Sequence, residues 1–194
     1  MEIIDRVKKV LTCPKTEWPV IEAENAPHAK VFTSYVVPLA LIPAVAAFIG
    51  YGLIGYSVLG AHFGSVSWGL RQAIMQYVAM LGGTYITAFV IDALATNFGA
   101  TKDFNRAFSL VAYSYTPMFV GGVFYILPSL SWLASLAGLY GLYLLYIGLQ
   151  PMMKAPAEKQ TGYFVVSLIV TILVAGVLSA ILSALLLRGT YIRF

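Results

Sequence analysis

The stretch that decides the fold begins at Tyr163 and ends at Leu187, and it reads YFVVSLIVTILVAGVLSAILSALLL. It contains no charged side chain, and it exceeds the roughly 20 apolar residues that an α-helix needs to cross the hydrocarbon core of a bilayer. Four further long apolar runs precede it, at residues 34–60, 73–98, 107–127 and 132–149. The sequence therefore predicts an all-α integral membrane protein with a bundle of five transmembrane helices.

The composition of the whole chain agrees with this fold class. Of its 194 residues, 60% are apolar and only 10% are charged, and the mean hydropathy is +0.83. Too few polar side chains remain to cover a soluble globule. We predict one transmembrane domain over residues 31–194 and a short cytoplasmic segment over residues 1–30. The first apolar run is too long for the core of a signal peptide, so no cleaved signal is expected.

The positive charges predict how the chain is oriented. Nine of the twelve Lys and Arg residues would lie on one side of the membrane: Arg6, Lys8, Lys9, Lys15, Lys30, Lys102, Arg106, Lys154 and Lys159. Three would lie on the other side: Arg71, Arg188 and Arg193. Cytoplasmic loops carry the excess of positive charge, which places the N-terminus in the cytoplasm and the C-terminus outside. The net charge of +4 is then explained by topology and contact with phospholipids, without nucleic-acid binding.

The N-terminal segment is predicted to form an amphipathic helix that ends before Pro14. At 100° per residue, one face collects five aliphatic side chains: Ile3, Ile4, Val7, Val10 and Leu11. Basic side chains lie outside that face: Arg6, Lys8 and Lys9. Such a helix is suited to the headgroup layer of the cytoplasmic surface. Docking on a partner, or on the protein's own loops, is the alternative.

Small residues within the fourth and fifth runs predict close contacts between helices. They are Gly138, Gly141, Gly148, Gly176, Ser179, Ala180 and Ser183. Lipid supplies no hydrophobic drive between helices, so small side chains allow backbones to approach and pack. Packing within one chain and an interface between two copies are both compatible with this pattern.

Pro117 lies inside the third run, where it removes a backbone donor and predicts a kink. Tyr113, Ser114 and Thr116 precede it and can bond the carbonyl that is left free, or can line a polar crevice. Broken helices of this kind hold substrate in some transporters, and in other membrane proteins they are features of packing.

Asp92 is the one carboxylate within the predicted spans. It would lie one to two turns from the cytoplasmic end of the second span, where Lys102 or Arg106 could pair with it. Tyr140 and Tyr143 follow one side of the fourth span and could line a cavity or bond neighbouring backbone. A transport path would join these residues to the Pro117 crevice.

A search for catalytic motifs gives none. The chain contains no His-Glu-x-x-His helix, no Gly-x-Ser-x-Gly turn, no phosphate-binding Gly-x4-Gly-Lys loop and no cluster of cysteines. Cys13 is the single cysteine, and His28 and His62 are predicted on opposite sides of the membrane. We therefore predict no catalytic residue, no metal site, no cofactor and no enzymatic activity.

Several blocks of the sequence resemble the Yip1 domain family in its bacterial form. The blocks are Ala112–Pro117, Ile126–Pro128 and Leu139–Leu149, with further similarity at Pro14–Trp18, Ile21–Glu24 and Phe98–Arg106. The resemblance covers residues 14–187, and it implies five transmembrane helices with a cytoplasmic N-terminus. Eukaryotic members of the family act in vesicle trafficking and bind prenylated Rab GTPases. Their Asp-Leu-Tyr-Gly-Pro motif is absent from this chain, so the Rab-binding role is not carried over.

Two classes of function follow from these features. The first is a non-catalytic scaffold or adaptor in membrane organisation, whose partners are membrane phospholipids and another copy of the chain or another membrane protein. The alternative is a transporter or channel for a small solute, ion or lipid. The bacterial form of the family pattern predicts a location in the bacterial cytoplasmic membrane.

Overall fold

The computed structural model confirms an all-α membrane fold. It describes the backbone of residues 2–58 and 61–190, and the side chains of residues 2–55 and 64–177. Within these residues, five helices are long and apolar enough to cross a bilayer. They are span 1 (His28–Ile54), span 2 (Val66–Phe98), span 3 (Phe104–Ile126), span 4 (Pro128–Met153) and span 5, whose helix runs from Ala157 to Thr190.

Spans 1 and 2 differ from the sequence prediction at the ends that residues 55–65 connect. Span 1 ends at Ile54 rather than at residue 60, because Gly55 has a φ of 72°, which turns the chain out of the helix. Two short antiparallel strands follow, β1 (Tyr56–Val58) and β2 (Ala61–Phe63). Span 2 begins at Val66, seven residues before the predicted start, because the Ser65 hydroxyl caps it by accepting from the Trp68 N–H at 3.2 Å.

Four of the spans change helix type along their length. Wide π-helical turns in span 1 flank the segment that contains Pro38 and Pro43, since a proline leaves the preceding carbonyls without an amide donor. In span 1 the segments are His28–Val31 (α), Phe32–Val36 (π), Val37–Ala47 (α) and Phe48–Ile54 (π). In the next three spans they are Val66–Leu94 (α), Ala95–Phe98 (3₁₀), Phe104–Ser114 (α), Thr116–Gly121 (α), Gly122–Ile126 (3₁₀), Pro128–Leu130 (3₁₀) and Trp132–Met153 (α).

Span 3 is the central helix of the bundle. In its most apolar stretch 72% of the residues are buried, against 11–44% for the other spans. Glycines allow span 1 to lie directly on its neighbours: a Cβ on Gly122 of span 3 would lie 2.4 Å from the Cβ of Pro43, and one on Gly69 of span 2 would lie 2.3 Å from the Cα of Gly52. These contacts bring three helices together at backbone distance, which only glycine permits.

Two further helices precede the spans: α1 (Ile3–Thr12) and α2 (Pro14–Glu24). We call them together the N-terminal hairpin. Val10, Trp18 and Ile21 are at most 3% exposed and belong to the same hydrophobic core as the spans. The predicted division at residue 30 therefore does not separate two packed units.

Candidate functional site

The N-terminal hairpin packs against spans 3 and 4. The Tyr140 hydroxyl of span 4 donates to the Leu11 carbonyl at 2.8 Å, which holds the end of α1. Trp18 of α2 is 2% exposed and lies against Gly148, where a Cβ would come within 2.7 Å of the indole ring. Gly148 of span 4 has no side chain, and the large Trp18 side chain of α2 packs into the space that this leaves.

Charged side chains tie the two helices of the hairpin together. Arg6 of α1 is only 4% exposed, and its Nη1 lies 2.6 Å from Glu17 Oε1. Its Nη2 donates to Glu24, also in α2. Burial lowers the pKa of Arg6, but the hydrogen bond to Glu24 and the negative charges of Glu24 and Glu17 outweigh it and raise the pKa above its ordinary range. Arg6 is therefore a permanent cation inside the hairpin.

A second ion-pair group joins the C-terminal end of α2 to spans 3 and 4. Glu22 Oε1 lies 2.7 Å from Arg106 Nη1 at the start of span 3, and 3.8 Å from Lys154 Nζ at the end of span 4. Arg106 also approaches Asp103 at 3.4 Å. Of the two partners predicted for Asp92, Lys102 or Arg106, Arg106 is wrong, because Glu22 and Asp103 occupy that guanidinium.

The structure corrects the predicted use of the two faces of α1. Arg6 was assigned to the face that meets headgroups, yet it points into the protein, whereas Ile4 of the aliphatic face is 60% exposed. Ile3 and Val7 are partly buried against the core, and Lys8 and Lys9 lie on the exposed side. The reason is that α2 supplies two carboxylates, so the charge of Arg6 is neutralised inside the hairpin. The alternative prediction was docking on a partner or on the protein's own loops. In the structure α1 docks on its own chain, but on α2 and on spans 3 and 4 rather than on loops.

The break at Pro117 is satisfied by the residues that precede it. Span 3 is interrupted at Tyr115, and the Thr116 hydroxyl donates to the Tyr113 carbonyl at 2.6 Å, which is the carbonyl that an amide at position 117 would have bonded. Because the Thr116 hydroxyl donates there, it accepts from the Tyr35 hydroxyl of span 1 at 2.7 Å. Thr116 and Pro117 are buried, so the freed backbone group finds its partner within the protein.

Tyr113 links this break to the N-terminal hairpin. The Arg6 guanidinium lies over its ring, 5.4 Å from the centroid, and the Tyr35 ring meets it edge-on at 4.7 Å. A cavity of about 150 Å³ opens beside these side chains. It is lined by Ile3, Arg6, Glu24, Ala26, Lys30, Val31, Ser34, Tyr35 and Tyr113, and we call it the Arg6 cavity.

The remaining predicted polar residues do not converge on the Arg6 cavity. Tyr140 and Tyr143 stack with ring centroids 5.8 Å apart and line a separate groove of about 430 Å³ beside Cys13. Ser114 is fully buried, and its hydroxyl has no hydrogen-bond partner in the described part of the chain.

Asp92 lies on the side of span 2 that faces span 5. Its side chain is 9% exposed and its Oδ1 is without a hydrogen-bond partner among the described residues. The neighbouring Ile91 carbonyl accepts from the Tyr163 hydroxyl at 2.5 Å, which joins the two spans at this level. Asp92, Tyr113 and Tyr140, which were predicted to line one path, therefore lie at three separate places in the structure.

The predicted packing glycines divide into two groups. Gly141 and Gly148 are close contacts: an added Cβ would lie 2.8 Å from the Ser114 carbonyl oxygen at the first and 2.5 Å from Leu110 Cδ1 at the second. Gly138 and Gly176 have no described atom within 4 Å of that position, so among the described residues they make no close helix contact, and an interface between two copies stays a prediction for them. The side chains of Ser179, Ala180 and Ser183 lie outside the described residues.

Three members of the site were not selected from the sequence: Glu17, Glu24 and Tyr35. Glu17 and Glu24 are seven residues apart, about two helical turns, which places both on one face of α2. That spacing is the feature of the sequence that could have identified Glu17 and Glu24 as a pair. No comparable signal marked Tyr35, whose partner Thr116 is 81 residues away in the sequence.

Most of the chain matches a known protein family. A family model described as the Yip1 domain matches residues 8–181. The chain belongs to the Yip1 domain family. The match includes α2, spans 1 to 4 and residues 157–181 of span 5, and it confirms the family resemblance indicated by the Pro117 block and its neighbours. Arg6 lies two residues before the matched Yip1 region, while Glu17, Glu24 and Tyr113 lie within it.

Known relatives of this Yip1 domain protein include two proteins named "Inner membrane protein YohC", from Escherichia coli strain K12 and from Escherichia coli O6:H1 strain CFT073. Each is 32% identical to the chain over 124 residues, which is 63% of this chain. The aligned part also spans 63% of the length of each relative. No solved structure matches the chain.

Proposed function

We propose that this Yip1 domain protein is a non-catalytic membrane scaffold or adaptor that presents its N-terminal hairpin to a partner. The observation that carries the proposal is that Arg6 holds α1 to α2 through Glu17 and Glu24, while Glu22 of α2 pairs with Arg106 of span 3. Docking fixes the orientation of the hairpin and leaves Ile4, which is 60% exposed, on the outward side beside Lys8. An apolar anchor beside a basic side chain, held on a rigid base, suits recognition of a protein or of a membrane surface.

The proposed location is the bacterial inner membrane, with the hairpin in the cytoplasm and the C-terminus outside. The name of the YohC relatives, inner membrane proteins, supports the location, and the position of nine of the twelve positive charges supports the orientation. The proposed partners are membrane phospholipids and another copy of the chain or another membrane protein.

Native mass spectrometry of protein extracted gently from its own membrane tests the scaffold proposal. We expect the full chain to retain a partner in a fixed ratio and the Ile4→Asp variant to lose it. Val66→Asp is the matched control, since Val66 is 60% exposed and is the first residue of span 2, where a helix N-terminus accepts an acidic side chain. If Ile4→Asp and a chain lacking residues 1–12 kept the same partners with the bundle folded, the hairpin would have no adaptor role.

A transporter is the second candidate, and one cavity favours it. Four polar side chains from three spans surround a space of about 300 Å³: Tyr51, Gln72, Gln76 and Tyr125. Polar side chains in a membrane span commonly mark a solute path, because they are costly against lipid. This cavity replaces the path predicted through Asp92 and Tyr113, whose members are separated. Flux that falls in Gln72→Leu and persists in Asp92→Asn would support transport through this cavity, and the reverse result would exclude it.

A further inference from the structure

The Arg6 cavity lies beyond the exposed apolar part of span 1, towards the N-terminal end of that span. Lys30 and Ser34 line it from the first turns of span 1, and the first large apolar side chain exposed on that span is Leu41. Seven residues separate Ser34 from Leu41, which is about 10 Å along a helix. The polar layer on each side of the hydrocarbon core is roughly 5–8 Å thick, so Ser34 lies at its outer edge. At this height a headgroup reaches the cavity, and the acyl chains do not.

The charges at the cavity are balanced. Two cations, Arg6 and Lys30, and the carboxylate of Glu24 line it, and the carboxylate of Glu17 lies behind Arg6. A purely anionic ligand would add a negative charge beside two carboxylates. A ligand that carries one phosphate and one ammonium group keeps the balance, because each of its charges meets an opposite one.

We propose that the Arg6 cavity binds a phosphoethanolamine group, supplied by a zwitterionic membrane phospholipid. The phosphate contacts Lys30 and the free N–H groups of Arg6, and the ammonium contacts Glu24. Arg6 is 4% exposed and Tyr35 is 4% exposed, so the polar floor of the cavity is prearranged. The volume of about 150 Å³ holds roughly ten water-sized groups at 10–15 Å³ each, and phosphoethanolamine has eight non-hydrogen atoms.

The geometry favours a primary ammonium over choline. A quaternary ammonium is held mainly by aromatic faces, whereas a primary ammonium donates hydrogen bonds to a carboxylate. One face of Tyr113 is already covered by the Arg6 guanidinium, and its ring also meets the Tyr35 ring edge-on. Glu24, with its side chain 41% exposed, remains open to an incoming donor.

The test is lipid retention in native mass spectrometry. The full chain is exchanged into equimolar phosphatidylethanolamine, phosphatidylglycerol and phosphatidylcholine, and the bound lipids are counted. We expect phosphatidylethanolamine to be retained preferentially. Lys30→Gln should lower its retention about fivefold, the effect of one partly exposed charged contact. Lys159→Gln, at an exposed lysine outside the cavity, is the matched control and should leave retention unchanged.

A second variant separates recognition from loss of folding. Glu24→Gln keeps a hydrogen-bond acceptor for Arg6 but removes the negative charge, so the preference should shift toward phosphatidylglycerol. The proposal is overturned if the full chain retains the three lipids equally, or if Lys30→Gln and Lys159→Gln lower retention alike. Displacement of the lipid by an equal concentration of soluble glycerophosphoethanolamine would overturn its membrane source. The scaffold proposal is independent, since it is tested at Ile4.

Discussion

Replacing Arg6 by alanine should open the N-terminal hairpin. The change leaves Glu17, whose side chain is 6% exposed, as a buried carboxylate without its cation. Breaking such a pair costs about 3–5 kcal/mol. We expect about 3 kcal/mol, the lower end, because the Arg6 cavity beside the pair admits water. The loss of the ion pair between Arg6 and Glu24 adds little to this cost, since the Glu24 side chain is 41% exposed.

Amide hydrogen exchange of the protein in lipid nanodiscs measures this opening. Exchange of the α1 amides should become about 100-fold faster in Arg6→Ala, because 3 kcal/mol changes an equilibrium constant by roughly that factor. Exchange in the buried half of span 3 should change far less. Arg106→Gln is the control, since it removes the more exposed pair with Glu22 and should cost about 1 kcal/mol.

The double variant Arg6→Met with Glu17→Met decides whether the buried charge is the cause. It replaces both members with apolar side chains of similar length, which is often neutral or stabilising for a buried pair. We expect α1 protection to return close to that of the natural chain. If the double variant exchanged as fast as Arg6→Ala, or if Arg6→Ala left α1 protected, the assigned role of the Arg6–Glu17 pair would be refuted.

Three further results are expected. Thr116→Val should lower the free energy of unfolding by about 1–3 kcal/mol, because the Tyr113 carbonyl and the Tyr35 hydroxyl both lose a buried partner. Thr116→Ser keeps the hydroxyl and should keep most of the stability, and thermal unfolding in detergent compares the two variants. Gly148→Ala should cost about 1–3 kcal/mol and expose α2 to exchange, because the new methyl group meets Trp18 and Leu110, while Gly138→Ala, with no described atom nearby, should be neutral or stabilising. The pKa of Arg6 is raised above its ordinary range, so its contribution to docking is fully present below that range and is lost only at higher pH. Deprotonation of Arg6 should therefore not lower the protection of the α1 amides, corrected for intrinsic exchange, between pH 7 and 9.

The spans were predictable because a bilayer imposes a local rule on the sequence. About 20 mostly apolar residues in a row are needed for a helix to cross, and all five runs are near or above this length without reference to their neighbours. The role of Thr116 was also accessible, since a proline in a span calls for a nearby donor to the carbonyl four residues earlier. The end of span 1 was less accessible, because an apolar run continues past Gly55 and only the positive φ there ends the helix.

The hairpin could not be placed from the sequence, because a helical wheel treats α1 as if it were alone. The position of Arg6 depends on Glu17 and Glu24, which belong to another helix, and on the ring of Tyr113, which lies more than 100 positions along the chain. The glycines of span 4 show the same limit: Gly138 and Gly148 look alike in the sequence, yet only Gly148 faces Trp18. Length and apolarity alone determined that five helices cross a membrane, because the solvent sets that requirement. The tertiary structure decided which charges are buried and which small residues are contacts, because both depend on distances between distant parts of the chain.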